Sequence, residues 1–360
     1  MEVARGEVQE PSVRIADDGD AIVAWVDQSR KDVFIGRWSR EGVARLATPV
    51  NVSKSPTTLS WSPRILEAYG DVHALWQEIV FSGGTHGGEI MFATSPDGGR
   101  TFSEPLNLSN SIAGDGQGRI DEKTWDNGSL DLARGPGGEL YATWTTYEGA
   151  LLLRRSDDDG ATFAPALHVG GTPDAPARAP SLAIGKDGRV HLAWSTGEST
   201  TAGVRVATSY DRGASFDRPK TYGGRRGACD TPSIAVDTSG HVHLVYVESA
   251  KGRDGPLHVE YVRDGTTSRR ISSDGASRAR IAVDRERGVF VVLVSNDATS
   301  VMSSSNGGDS FVEQPVASQP GSGLLGRLAI ARDGELALVN ATFLEGGESH
   351  VWLVRGRPSK

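Results

Sequence analysis

A segment of about 15 residues recurs seven times along the 360-residue chain, and this repeat constrains the fold more than any other feature. Each copy reads as an apolar strand, a turn containing Asp or Gly, and a second strand of alternating apolar and polar positions. Three copies are closely similar: PSVRIADDGDAIVAW (11–25), PSLAIGKDGRVHLAW (180–194) and PSIAVDTSGHVHLVY (232–246). Weaker copies occupy 62–76, 128–144, 279–293 and 326–340.

The spacing of the repeats predicts the architecture. The last residues of the seven second strands lie 47 to 52 residues apart, except for one interval of 68 residues. A period near 50 residues with room for four short strands is typical of a β-propeller. We therefore predict an all-β fold, a single seven-bladed propeller domain of four-stranded antiparallel blades, with six blades as the alternative.

The last repeat has only three strands before the chain ends. We expect the N-terminal residues to supply its fourth strand and so remove an open sheet edge. The predicted blades span approximately 11–55, 60–109, 128–170, 178–224, 230–273, 278–319, and 326–360 with 1–8.

A polar octet recurs between the expected third and fourth strands of four repeats. Its copies are SPDGGRTF (95–102), SDDDGATF (156–163), SYDRGASF (209–216) and SSNGGDSF (304–311). The octets resemble the Asp box, or BNR repeat, of sialidase-like β-propellers, and the repeats cover essentially the whole chain. Because Ser and Asp side chains can bond the N–H groups of such a turn, we expect a structural role for the octets.

The resemblance implies that the start of the first, innermost strand of each blade and the loop after its second strand lie on one face, the functional face. The octets lie on the opposite face. Glu78 and Glu248 end second strands on that face, as does Asp27, and the first two are candidate catalytic residues. The alternative is that these acids bond neighbouring N–H groups at the loop edge.

The interval of 68 residues contains two insertions on the same face, residues 77–89 and 110–128. Long loops on a rigid scaffold commonly carry function. In the second insertion, Trp125 is a candidate for stacking on a sugar ring, Arg119 for binding an acidic group, and Asp126 for proton transfer.

Further candidates precede or begin the inner strands. Guanidinium groups bind carboxylates with two parallel hydrogen bonds, so an arginine cluster suits an acidic sugar. The candidate substrate-binding residues are Trp61, Arg178, Arg225, Arg280 and Arg327, and Asp230 is a fourth candidate catalytic residue. The alternative is that the arginines pair with carboxylates between blades.

Exo-sialidases of the resembled superfamily use three arginines, a Tyr–Glu nucleophile pair and an Asp acid/base, outside the usual two-carboxylate scheme. Their first arginine lies in an Arg-Ile-Pro motif, and Gln9, Glu10 and Pro11 occupy that place here. We therefore expect a carbohydrate-binding or carbohydrate-active propeller for an acidic glycan, a hydrolase or lyase if catalytic. The alternative is a non-catalytic protein-interaction scaffold; exo-sialidase activity is less expected.

Composition narrows the remaining classes. The net charge of −8 without a basic stripe argues against nucleic-acid binding, and no apolar run is long enough to span a bilayer. His73, His191 and His243 align inside second strands and are expected to pack there, so no metal or cofactor is predicted. We expect a monomer that is secreted or periplasmic, its export signal removed, with a glycan or an extracellular protein as partner.

Overall fold

The computed structural model describes thirteen segments, with backbone only at 322–326: 1–55, 58–79, 88–110, 130–146, 148–197, 202–224, 227–249, 255–286, 288–295, 298–316, 322–331, 333–344 and 347–357. These segments form seven four-stranded antiparallel sheets and contain no helix. The sheets are the blades of a seven-bladed β-propeller, which confirms the predicted fold class. Chain contacts define two compact units, residues 1–116 with 317–359, and residues 117–316.

The first unit contains three blades, with each blade's strands adjacent in chain order apart from the closing strand. The strands of blades one and two are β2 (Val8–Ile15), β3 (Ala21–Asp27), β4 (Asp32–Trp38), β5 (Val50–Asn51), β6 (Leu59–Ala68), β7 (Asp71–Ile79), β8 (Gly88–Ser95) and β9 (Leu106–Asn107). Blade seven consists of β26 (Ser322–Ile330), β27 (Leu336–Phe343), β28 (Ser349–Gly356) and β1 (Glu2–Gly6).

The N-terminal strand closes blade seven, as predicted from the missing fourth strand of the last repeat. Strand β1 pairs antiparallel with β28, and Gly6 lies opposite Ser349. The Ser349 hydroxyl accepts a hydrogen bond from the Val8 N–H at 2.7 Å, which fixes the chain where it passes from β1 into β2. Val8 already belongs to blade one, so the closing strand is shorter than the predicted residues 1–8.

The second unit contains blades three to six. Their strands are β10 (Leu130–Arg134), β11 (Leu140–Thr145), β12 (Leu151–Ser156), β13 (Leu167–Gly170), β14 (Ala177–Ile184), β15 (Val190–Thr196), β16 (Val204–Ser209), β17 (Lys220–Tyr222), β18 (Cys229–Val236), β19 (Val242–Ser249), β20 (Leu257–Arg263), β21 (Arg269–Arg270), β22 (Ala276–Val283), β23 (Val289–Ser295), β24 (Ala298–Ser304) and β25 (Val312–Pro315).

One hydrogen bond repeats between successive blades of the second unit. A polar side chain on the first strand of one blade accepts a hydrogen bond from a backbone N–H on the first strand of the next blade. Because each bond joins equivalent positions, it fixes the register of neighbouring blades. The donor and acceptor pairs are Leu182 N to Asp131 Oδ2 at 2.9 Å, Ile234 N to Ser181 Oγ at 3.1 Å, and Ile281 N to Ser233 Oγ at 3.1 Å.

The aromatic residues near the ends of the second strands pack in the core of their blades. Trp76, Trp144, Trp194 and Tyr246 are all fully buried. Burying a large apolar side chain contributes roughly 1.5–3 kcal/mol. The repeat therefore encodes one large packing residue in each of these four blades.

The three aligned histidines pack in their blades, as predicted. His73 and His191 are buried, and each ring Nδ1 bonds a threonine hydroxyl of the adjacent third strand, Thr94 or Thr208, at 3.1 Å. In blade five, the Nδ1 of His243 instead bonds the hydroxyl of a tyrosine, at 2.7 Å. Burial lowers the pKa of His191 and of His243, which favours the neutral form of both rings.

The octets form a common hydrogen-bonded turn. In blade four, the buried Ser209 hydroxyl donates to Asp211 Oδ1 at 2.7 Å and accepts from the Gly213 N–H at 2.7 Å. Asp211 in turn accepts a hydrogen bond from the Ser215 N–H at 2.8 Å. The octets at 95–102, 156–163 and 304–311 repeat these bonds. Their side chains are thus occupied within the turn.

We expect Ser209→Ala to lower the free energy of unfolding by about 1–3 kcal/mol, because the buried Gly213 N–H loses its acceptor. Chemical denaturation measures this difference. Ser239→Ala is the matched control, since that residue is exposed and its hydroxyl carries no hydrogen bond within the described chain. Equal stability of the two variants would contradict the structural role of the octet serine.

We also expect the octet acids to make the stability sensitive to acid. Hydrogen bonds from Ser215 lower the pKa of Asp211 to about 2, and bonds from Thr101 lower that of Asp97 to about 2. Because these folded-state pKa values lie below those of the unfolded chain, their stabilisation is present above pH ~4 and is lost as the pH falls towards ~2.

The matched variant for this prediction is Asp211→Asn. Asn306 holds the equivalent place in the blade-six octet, where it accepts from the Ser310 N–H at 3.0 Å and donates to the Ser310 hydroxyl at 2.9 Å. Asparagine therefore preserves the turn without titrating. The melting temperature of Asp211→Asn should fall less between pH ~4 and ~2 than that of the wild type. Parallel curves for the two proteins would contradict this.

Candidate functional site

Each blade has one edge at which its first strand begins and its second strand ends, and we call it the loop edge. In blade five it is formed by the start of β18 at Cys229, the end of β19 at Ser249 and the start of β20 at Leu257. The octets connect third to fourth strands, so they lie at the opposite edge of their own blades. Glu248 and Asp230 both lie at the loop edge of blade five.

A backbone irregularity recurs at the loop edge of blades one, two, four and five. In each, the first strand contains a bulge whose residue before a proline adopts a left-handed conformation, with φ between 48° and 55°: Glu10, Ser62, Ala179 and Thr231. Left-handed non-glycine residues are uncommon, and bulges re-aim the side chains beside them. The residues before them are Gln9, Trp61, Arg178 and Asp230, so three predicted site residues share one backbone position.

Arg178 and Asp230 occupy this position in adjacent blades of the second unit. Arg178 is 6% exposed, and its Nη1 donates to the Ala177 carbonyl at 2.8 Å. Asp230 is half-buried, and its Oδ1 accepts from the Thr231 N–H at 2.6 Å. A hydrogen bond to the adjacent main chain thus holds each side chain at its bulge. The bulges therefore fix the Arg178 guanidinium and the Asp230 carboxylate in position.

Trp61 has this position in blade two of the first unit. The residue is half-buried, and its indole Nε1 is buried with no hydrogen-bond partner in the described chain. Buried indole N–H groups usually find an acceptor. The arrangement is consistent with the predicted ligand-binding role of Trp61.

The acids that end second strands have different environments. Glu78 is 7% exposed and accepts hydrogen bonds from Trp76 Nε1 and Ser60 Oγ, both at 2.9 Å, and from Thr58. Asp27 accepts hydrogen bonds from the backbone and hydroxyl of Ser29 in the following turn. These contacts favour the structural alternative for Glu78 and Asp27.

The arginines further along the first strands bond the adjacent main chain. Arg64 is buried and donates to the Pro63 carbonyl at 2.9 Å, and Arg280 donates to the Ala279 carbonyl at 3.0 Å. Arg327 is half-buried on β26. Of the other predicted site residues, Arg119, Trp125, Asp126 and Arg225 lie outside the described residues.

Glu248 lies in a cluster with two residues of the neighbouring third strand. It pairs directly with His258 on β20, and Tyr246 pairs with Glu260, so Glu248, His258 and Glu260 share one side of the sheet. One ligand atom of each lies within 4.8 Å of the other two, and the His258 Nε2 is 3.2 Å from Glu260 Oε1. His258 and Glu260 are each 8% exposed. The cluster brings two carboxylates and one imidazole together.

The electrostatics of this cluster reflect its burial. Burial, and then the charge of Glu260, raise the pKa of the Glu248 carboxyl. Cys229 lies opposite Glu248 on the other neighbouring strand, and burial followed by the Glu248 charge raises the pKa of its thiol. The Cys229 Sγ accepts a hydrogen bond from the Gly224 N–H at 3.2 Å.

Sequence reasoning identified Glu248 but missed His258 and Glu260. Both residues lie in the third strand of blade five, and no other repeat has a His and a Glu at these two positions. A comparison of the seven repeats with one another therefore does not single them out. The available signal was alternation: in LHVEYVR (257–263) the polar residues 258 and 260 fall on one face of a strand next to Glu248.

Among the described residues, no helix has the length and apolar character needed to cross a membrane.

Comparison with known proteins gives similarity of structure only. No family model matches the sequence, and no curated protein matches it. Among solved structures, the chain is similar to a polysaccharide lyase, an ulvan lyase bound to -[GlcA(1-4)Rha3S]-, with a TM-score of 0.68, 14% identity, and coverage of 99% of this chain and 96% of that one.

Two further structures with other activities are similar. An α-L-arabinanase of Penicillium chrysogenum complexed with arabinobiose has a TM-score of 0.55 and 15% identity over 83% of this chain and 93% of the arabinanase. A Hadza microbial sialidase has a TM-score of 0.54 and 14% identity over 97% of this chain and 65% of the sialidase. At these identities, the likeness establishes that the chain shares their propeller fold.

Proposed function

We propose that this propeller binds an acidic glycan at the loop edges of its blades and, if catalytic, acts as a hydrolase or lyase. The observation that carries the proposal is the repeated left-handed bulge, which sets Arg178 and Asp230 at equivalent positions of adjacent blades. Strained backbone of this kind clusters at functional sites. We further propose that the protein is a monomer with Asp-box octets, secreted or periplasmic.

The chemistry of the two residues fits an acidic sugar. The Arg178 guanidinium can bind a carboxylate or sulfate with two parallel hydrogen bonds. Asp230 is a carboxylate within the same unit that can accept or return a proton, as hydrolase and lyase chemistry both require. The similar solved structures add support, since one is a lyase bound to a glucuronate-containing glycan and another an arabinanase bound to a sugar.

The test is a glycan array screen followed by affinity measurement and product analysis. We expect Arg178→Ala and Arg178→Lys each to weaken binding of the identified acidic glycan at least about tenfold, since lysine keeps the charge but lacks the planar fork. Asp230→Asn should abolish product formation, if product is formed, with a smaller effect on binding. Trp125→Ala, from the sequence prediction, should also weaken binding.

The matched control is Arg189→Ala. Arg189 lies at the opposite edge of blade four, where it pairs with Asp187 at 3.2 Å, so glycan affinity should not change. Thermal melting must show that the Arg178 variants are folded. Wild-type affinity in folded Arg178→Lys would overturn the proposed site, and a screen that yields no glycan would favour the protein-interaction alternative.

A further inference from the structure

We propose that Glu248, His258 and Glu260 of blade five bind a divalent transition-metal ion of the Zn²⁺ type, with the Cys229 thiolate as an additional ligand. This inference is independent of the proposed glycan function. It gives Glu248 a role other than the catalytic role predicted from sequence.

The strand register preorganises the three ligands. Glu248 and His258 are directly opposite across the β19–β20 pair, and Glu260 is the diagonal neighbour of Glu248 on the same face. Metal–ligand distances of about 2.0–2.2 Å place tetrahedral ligand atoms about 3.4 Å apart. The ligand atoms already lie within 4.8 Å of one another, so small side-chain rotations complete the site.

The negative charges of Glu248 and Glu260 favour binding of a cation. Two carboxylates on one partly buried face repel each other unless a proton or a cation lies between them. Within the described chain, neither Glu248 nor Glu260 forms an ion pair with a lysine or arginine, and His258 is the sole basic group in contact with either. A divalent ion would offset both charges.

His258 is the imidazole ligand of the proposed site. The residue is 8% exposed, and its Nδ1 is buried with no hydrogen-bond partner in the described chain. The imidazole lies close to both carboxylates, with its Nε2 3.2 Å from Glu260 Oε1, and provides the nitrogen donor of the set. Metal coordination uses the imidazole in its neutral form and gives the cluster a common partner.

The donor set selects the class of ion. Imidazole and thiolate favour zinc and similar transition metals, whereas calcium and magnesium take oxygen ligands. The Cys229 thiol lies beside the Glu248 carboxyl, next to Gly223. A Cβ at residue 223 would overlap the Cys229 sulfur, so only glycine fits beside the thiol.

The experiment uses the full-length protein, stripped of metal with a chelator and titrated with Zn²⁺ by calorimetry. We expect one equivalent of Zn²⁺ to bind the wild type, and affinity to fall at least about tenfold in His258→Gln and in Glu260→Gln. Circular dichroism confirms folding, and Glu248→Gln serves as the third variant if one of these fails to fold.

The matched control is His241→Gln. His241 and Asp264 form an imidazole–carboxylate pair at 2.7 Å at the other end of the same blade, with no third ligand among the residues that the structure describes, so Zn²⁺ binding should be unchanged. Failure of the wild type to bind stoichiometric Zn²⁺, or wild-type affinity in His258→Gln and Glu260→Gln, would overturn the site. Glycan binding is measured separately and decides only the proposed function.

Co²⁺ substitution tests the thiolate ligand. The wild-type complex should show a sulfur-to-cobalt charge-transfer absorption that is lost in Cys229→Ser while cobalt still binds. A wild-type cobalt complex without this absorption would overturn the assignment of Cys229 and leave the three-residue site.

Discussion

Removing residues 1–7 is expected to lower the melting temperature by about 4–7 °C, the effect of a loss of roughly 3–5 kcal/mol in a domain of this size. The deletion takes away the whole of β1, including the bond of the Met1 amine to the Leu353 carbonyl at 2.8 Å. It also removes Val3 and Ala4, which are partly buried against the core of blades one and seven, and so exposes that part of the core.

The deletion leaves β28 as an unpaired edge, which is a template for pairing with another chain. Light scattering should therefore show association of the truncated protein at concentrations where the wild type is monodisperse. The control is Arg5→Ala, which removes only the ion pair of Arg5 with Glu348, whose side chains are 63% and 40% exposed. Such pairs contribute little, so melting should be unchanged. Wild-type melting of a monodisperse truncated protein would contradict the closing role of β1.

His243→Ala is expected to lower the free energy of unfolding by about 3–5 kcal/mol. The His243 ring is fully buried, accepts from the Tyr261 hydroxyl at Nδ1, and donates from Nε2 to Asp237 Oδ2 at 3.4 Å. The substitution leaves a cavity, and it removes the ring partner of the buried Tyr261 hydroxyl and of Asp237 Oδ2, while Asp237 Oδ1 keeps its bonds from two backbone N–H groups. Burial raises the pKa of Tyr261 to about 12, so the hydroxyl stays protonated and cannot relieve the loss by ionising.

Urea denaturation of His243→Ala beside His241→Ala measures this effect. His241 is two residues earlier and its pair with Asp264 is 39% and 40% exposed, so its loss should change stability by less than ~1 kcal/mol. A difference between the two variants below ~1 kcal/mol would show that the buried ring is not a main element of blade five.

The repeat pattern was enough to predict the blade count and the closing strand, because both follow from periodic strands and turns. It could not distinguish Glu78 from Glu248, which hold the same place in their repeats. Trp76 donates its indole N–H to Glu78 at 2.9 Å, whereas the Tyr246 hydroxyl, at the equivalent position beside Glu248, makes no hydrogen bond to that carboxylate. The difference between Trp76 and Tyr246 therefore accompanies a difference in role: Glu78 is held in a structural hydrogen bond, whereas Glu248 belongs to a carboxylate–imidazole cluster.

The left-handed bulges were also beyond sequence reasoning. Left-handed residues are commonly glycine or asparagine, but Ser62, Ala179 and Thr231 carry no such signal. The sequence shows only that a proline follows each of them. The alignment of Trp61, Arg178 and Asp230 at one backbone position is therefore visible only in the folded structure.

The pairing of β1 with β28 has a consequence for synthesis. Strand β1 (Glu2–Gly6) is translated long before β28 (Ser349–Gly356), so blade seven cannot form until β28 has been translated. Contacts this distant in sequence form slowly, since the chain entropy of closure is lost before the contact is made. During that interval β1 has no partner strand, and a nascent chain stalled before β28 offers an unsatisfied strand to chaperones or to another nascent chain.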